Sequence, residues 1–150
     1  MTNIYEAIKE SHEIQRSLGK DMTSKDATPQ ERKQAFLELA IELDAHASAE
    51  ERNFYIPLQQ HDEGLTQSRH AISEHHEAEE MVEDLRSLDP SGEAFMKHAK
   101  ELVEKVQHHL KDEEHGFFQL SGRLLSDDQK VDLAKTYFQD YREMKTKLST

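Results

Sequence analysis

Residues 108–118 read HHLKDEEHGFF: two adjacent histidines, an acidic run and two phenylalanines. On a helix, residues three and four apart share a face, so the flanking apolar positions decide which histidine points inward. Ala99, Leu102 and Val106 lead on that spacing to His109, Glu113, Phe117 and Leu120. The stripe through the other histidine is Glu101, Lys105, His108, Asp112 and His115, all polar. His109 and Glu113 are therefore expected to face the core, and His108 to face water.

The same pattern recurs upstream. Phe36, Leu39 and Leu43 lead to His46, Glu50 and Phe54, a second His-x-x-x-Glu pair in an apolar stripe. In SEHHEAEE (73–80), His75 lies with Ile72, Ala78, Val82 and Leu85, whereas His76 lies with Arg69, Ser73, Glu80 and Glu83. His12 follows Ile4 and Ile8 at four-residue steps and is also expected inside.

Punctuation along the chain sets the architecture. A helix over residues 4–22 is followed by TPQE (28–31), a capping box with proline at the first helical position. That second helix is predicted to reach Pro57 or slightly beyond, and QQHDEGL reads as a loop closed by Gly64. Further helices are predicted over residues 66–88, ending at DPSG, and 92–120, ending at Ser121-Gly122. SDDQ (126–129) is another capping box and starts a last helix to about residue 147. Long helices with short joins, five Gly and three Pro in 150 residues, predict an all-α, up-down-up-down four-helix bundle with an additional C-terminal helix. Residues 1–150 read as one domain.

Charge narrows the partners. A net −12, from 31 acids against 19 bases, repels nucleic acid and anionic membrane surfaces. No apolar run approaches the roughly 18 residues of a membrane-spanning helix. MTNIYEAIKESHE lacks the basic and apolar regions of a signal peptide, and the absence of cysteine fits a cytoplasmic location. Ten histidines are about twice the ordinary usage for this length.

Two inward glutamates need partners, because a bare carboxylate in a dry core costs several kcal/mol. Four inward histidines from four helices could supply them around a shared cation; with no metal at all, Glu50 and Glu113 would be left buried and in need of protons or other partners. Imidazole and carboxylate without thiolate disfavour structural zinc and suit iron or manganese. Two ions joined by an oxo or hydroxo bridge would leave coordination positions for water, O₂ or peroxide, as di-iron carboxylate sites in helical bundles do.

The order His, His-x-x-x-Glu, His, His-x-x-x-Glu, set in HASAEERNFYIPL, EHHEAEEMVEDL and HHLKDEEHGFFQL, resembles the hemerythrin-like HHE cation-binding family over nearly the whole chain. The resemblance implies a four-helix bundle with two iron ions, oxo- or hydroxo-bridged. Carried over, the metal ligands are His12, His46, Glu50, His75, His109 and Glu113, the glutamates bridging. Oxygen-carrying hemerythrins have two histidines four apart on the third helix, but here Ala71 and Glu79 flank His75 at that spacing. Glu79, Tyr55, His70 or solvent are the candidates for the vacant position, with His70 about 140° around the helix from His75.

The expected function is a non-heme di-iron protein that binds O₂, NO or peroxide, in sensing, stress response or detoxification. The alternative is a metal store or buffer, or a regulatory interaction module whose protein partner is unknown. Peroxidase-like or catalase-like activity is compatible with the di-iron reading, yet no route for protons and electrons is legible. Alanine at His109 or Glu113 is expected to abolish metal binding, and alanine at His108 to preserve it. Metal analysis of the three purified variants checks this, and equal loss at His108 would reverse the facing.

Overall fold

A computed structural model describes residues 1–150 and contains helices without strands. Helix α1 spans Ile4–Met22 and α2 spans Pro29–Glu50. Helix α2 continues without a break through a π-helical turn, Glu51–Tyr55, and a last turn, Ile56–Leu58. Helix α3 spans Asp62–Arg86. Helix α4 spans Glu93–Asp112 and continues through a second π-helical turn, Glu113–Phe117, into Phe118–Gly122. Helix α5 spans Asp127–Leu148.

Both predicted capping boxes form. The Thr28 hydroxyl accepts from the Glu31 amide while the Glu31 side chain accepts from the Thr28 amide, and Ser126 and Gln129 do likewise. Asn3 and Glu6 make a third. Each such pair satisfies two amides that a helix start leaves free.

Helices α1 to α4 pack in a ring, each against the next and α4 back on α1, with α5 laid across α1 and α2. This is the four-helix bundle with an additional C-terminal helix. No helix is long and apolar enough to cross a membrane. The apolar interior forms two clusters. One gathers Ile4, Ile8, Phe54, Leu58, Phe117 and the α5 aromatic Tyr137. The other gathers Met22, Phe36, Leu39, Leu85, Phe95 and Leu102 at the opposite end. The inward polar residues lie along each helix where one cluster gives way to the other: His12 falls between Ile8 and Met22, and His109 between Leu102 and Phe117.

The join between α2 and α3 departs from the expected loop. Only a short turn separates Leu58 from Asp62, and Gly64 lies buried within the first turn of α3. A glycine is needed there because helix and turn almost touch: a Cβ on Gly64 would lie 2.5 Å from the Leu58 carbonyl oxygen. Glycine at this position thus permits close backbone approach rather than ending a loop. Gly64→Ala is expected to destabilise the fold by about 1–3 kcal/mol, as overpacking does, read as a lowered urea midpoint; an unchanged midpoint would show that the turn yields.

Candidate metal centre

His12, His46, Glu50 and Glu113 are all under 4% exposed, and His109 is 8% exposed. His75 has a nearly buried side chain. The outward-facing neighbours His76 and His108 are 69% and 64% exposed in their side chains, so the two adjacent-histidine pairs divide as the apolar stripes require.

The four imidazoles turn the same nitrogen inward. His12 Nε2 lies 3.1 Å from Glu113 Oε1, and His46 and His75 Nε2 each lie 3.2 Å from Glu50 Oε1. His109 Nε2 is 4.0 Å from Glu113 Oε2. None of the four Nε2 atoms makes a hydrogen bond, and neither do Glu50 Oε2 and Glu113 Oε1, although all are buried. Buried polar atoms are nearly always satisfied, so a cluster of six orphans in one place asks for a shared partner. Nitrogen and carboxylate oxygen are donors for a cation. The donor atoms fall into two groups of mutual metal-binding proximity: His12, His46, Glu50 and Glu113, and then Glu50, His75 and His109. Glu50 belongs to both, as a bridging carboxylate would.

The outward Nδ1 atoms are all engaged. His12 Nδ1 meets Glu114 at 2.6 Å, His75 Nδ1 meets Glu51 at 2.9 Å, and His109 Nδ1 meets Glu74 at 2.8 Å. His46 Nδ1 meets the Tyr137 hydroxyl at 2.7 Å, which in turn bonds Ser11 Oγ at 2.6 Å. Partners of this kind hold the ring orientation and the tautomer that leaves Nε2 free for a metal.

Two π-helical turns produce this arrangement. Each begins at or just after a glutamate of a His-x-x-x-Glu pair, and each has an amide donating to the carbonyl five residues back: Ile56 to Glu51 and Phe118 to Glu113. Such turns widen a helix locally and recur at functional sites. Here each wide turn accompanies a pair of successive glutamates that both serve the cluster. Glu50 faces inward while Glu51 reaches His75 on α3, and Glu113 faces inward while Glu114 reaches His12 on α1.

The sequence carries a signal for this that the stripe reading missed. HASAEERNFY (46–55) and HLKDEEHGFF (109–118) align as His-x-x-x-Glu-Glu-x-x-Phe followed by an aromatic. The second glutamate of each copy is the one that holds a neighbouring histidine. Tyr137 has no comparable signal, because it comes from α5, 91 positions from His46.

Of the further candidates, Tyr55 joins the cluster. Its hydroxyl is fully buried and donates to Glu50 at 2.8 Å and, in a very short bond, to Glu113. Glu79 and His70 do not join it. Glu79 is 69% exposed beside His76, and His70 is 68% exposed, reaching only Glu74 at 3.7 Å. His70 is turned away by helical phase, about 140° around α3 from His75; Glu79 stands one turn beyond His75 on nearly the same face, but its side chain extends into solvent beside His76.

Charge in the cation-free cluster is shared unevenly. Burial and then the Glu50 charge push Glu113 up to about 7. Glu50 is buried too, but the electrostatic pull of His46 and the close approach of His75 hold it well below the ordinary carboxylate value. The two carboxyls titrate as a coupled pair. Burial opposes charge on His12 and His75, yet Glu113 and Glu114 raise His12 to about 9, and Glu50 and Glu51 raise His75 to about 10. Burial lowers His46. Burial and the two glutamates hold Tyr55 well above 10, so it stays a neutral donor.

Raised folded values mean that protonation favours the folded state. The His12 and His75 contributions are whole below about pH 6.5 and are lost as pH climbs through about 9 and 10. Metal-free protein is therefore expected to unfold at lower urea at pH 9.5 than at 6.5, and a midpoint that is flat or rises across that range would contradict the pairing.

Comparison with known proteins places this geometry. A comparison with curated proteins finds no match. A crystal structure of a hemerythrin HHE cation binding domain-containing protein from Mycobacterium kansasii superposes with a TM-score of 0.87 at 22% identity, covering 98% of this chain and 90% of that one. That similarity is one of fold. The model of the Hemerythrin HHE cation binding domain matches residues 3–121, which include all six inward donors and stop short of α5. The chain belongs to the hemerythrin HHE cation-binding family.

Proposed function

We propose that His12, His46, Glu50, His75, His109 and Glu113 hold two iron ions and that a small ligand, O₂, NO or peroxide, binds beside them. The observation that carries this reading is the set of buried donor atoms without partners, drawn from four helices onto one point. Iron, when bound, supplies redox chemistry and Lewis acidity. The remaining chemistry belongs to the chain. Glu51, Glu74, Glu114 and Tyr137 keep the imidazoles oriented. Tyr55 keeps a proton at its hydroxyl between the two glutamates.

Access favours a ligand-binding centre over a closed store. A cavity of about 310 Å³ opens between α2, α3 and α4 and ends on His46, His75 and His109, with Leu43, Val82 and Val106 in its walls. His12 does not line it, so the His75–His109 side is the reachable one. Gln15 lines the same cavity; it is 2% exposed and its Nε2 has no partner. An amide donor in that state is suited to an oxygen-rich ligand.

Tyr137 belongs to α5 and steadies His46, which supports reading residues 1–150 as one working unit. A cysteine-free chain of net charge −12 fits the cytoplasm as its setting.

Protein produced with ample iron is expected to contain about two irons per chain. After anaerobic reduction, addition of O₂, NO or peroxide should change its absorption spectrum. Trace metal alone would remove the reading; full iron with no spectral response to any of the three would make the centre a store. Tyr55→Phe in the same titration tests the phenol: loss of a visible tyrosinate band would make it a ligand, and an unchanged spectrum a hydrogen-bond donor only.

A further inference from the structure

The 310 Å³ cavity between α2, α3 and α4 is charged at its mouth, where Asp44, Glu79, Glu83 and Arg86 are exposed to water. Its inner wall is different. There the Nδ1 atoms of His75 and His109 are engaged by Glu51 and Glu74, and that of His46 by Tyr137. Four buried polar side-chain atoms of the lining have no partner. Three are the Nε2 atoms of His46, His75 and His109, and the fourth is Nε2 of Gln15.

Gln15 differs from the other three in kind. An imidazole Nε2 whose ring carries its hydrogen on Nδ1 offers a lone pair, and a cation satisfies it. An amide nitrogen offers only hydrogens and cannot ligate a cation. Whatever metal meets the histidines therefore leaves Gln15 unmet. Its amide calls for an acceptor that comes in through the cavity.

Position supports this. Gln15 is 2% exposed and is the one residue of α1 in the lining. It follows His12 by three positions, so it stands on the same face and about 4.5 Å further along the helix axis. Methionine or leucine would fill such a place without burying an amide unpaired, which costs stability in the empty protein.

We propose that Gln15 donates a hydrogen bond to the outer atom of a ligand seated at the cluster, and so selects anionic ligands of two or three atoms, such as peroxide or azide, over nitric oxide. The basis is acceptor strength. A hydrogen bond to a charged acceptor is roughly twice as strong as one to a neutral acceptor, and the outer oxygen of nitric oxide is neutral and weakly accepting. The inference rests on the reading of the inner donors as a metal centre and deepens it by naming the ligand class that the site prefers. Carboxylates at the mouth do not oppose hydrogen peroxide, which enters uncharged.

Azide and nitric oxide are the probes. Oxidised, iron-loaded wild type, Gln15→Met and Gln15→Leu are titrated with azide, and the reduced proteins with nitric oxide, each followed by the absorption of the complex. The mouth is the same in all three chains, so its charge cancels from the comparison. Both variants are expected to bind azide about tenfold or more weakly, with nitric oxide affinity within about threefold of wild type and iron content unchanged. Without metal, both should unfold at a urea midpoint no lower than that of wild type, because an unpaired buried amide has been removed. Azide binding at wild-type strength, an equal loss for both probes, or lowered urea midpoints in both variants would overturn the donor and leave the metal centre standing. Iron-loaded wild type that binds neither probe overturns the ligand site together with the donor, and wild type that takes up no iron overturns the metal centre beneath both.

Discussion

Two carboxylate oxygens, one each on Glu50 and Glu113, and four imidazole nitrogens without hydrogen-bond partners, all shut inside an apolar bundle, make the constraint around which this molecule is organised. Each such group alone carries a desolvation cost of a few kcal/mol. Together they are compatible with one another only if charge of the opposite sign reaches them. In the cation-free chain that charge comes from protons, held on His12 and His75 by their glutamates and divided unequally between Glu50 and Glu113. Bound metal would displace those protons and satisfy the donors, which couples metal affinity to pH. The two apolar clusters on either side keep water out and give the helices a rigid frame.

The frame is nearly two-fold in its logic and asymmetric in its details. Both His-x-x-x-Glu-Glu segments enter a π-helical turn, and in both the second glutamate clamps a histidine on a neighbouring helix. The halves differ at three points. Tyr55 stands where the other copy has Phe118, which places a single phenol between the glutamates. His46 is steadied through Tyr137 and Ser11, whereas His109 is steadied directly by Glu74. His109 borders two cavities, whereas His46 borders one and has Tyr137 of α5 against it.

Much of this can be read from the order of residues because helical facing depends on spacing alone. His109 and His108, or His75 and His76, are told apart by whether apolar residues stand three and four positions away, and the structure places all four accordingly. The same rule is silent about contacts made by neighbouring helices. Glu51 and Glu114 follow directly after inward residues and by phase alone would turn aside; the wide turns and the histidines opposite decide their role. The loop expected to end at Gly64 is a misreading of the same origin. Glycine marks close backbone approach as readily as it marks a break, and only the position of Leu58 distinguishes the two.

By itself, then, the amino-acid sequence determined the helices, their caps and the six side chains that face inward, since these follow from local periodicity and capping chemistry. Tertiary structure decided which nitrogen of each histidine is free, which carboxylates brace the others, that Tyr55 joins the centre while Glu79 and His70 do not, and where the interior opens to solvent. Those outcomes depend on residues tens of positions apart meeting at hydrogen-bond distance, and no spacing rule along one helix reaches that far.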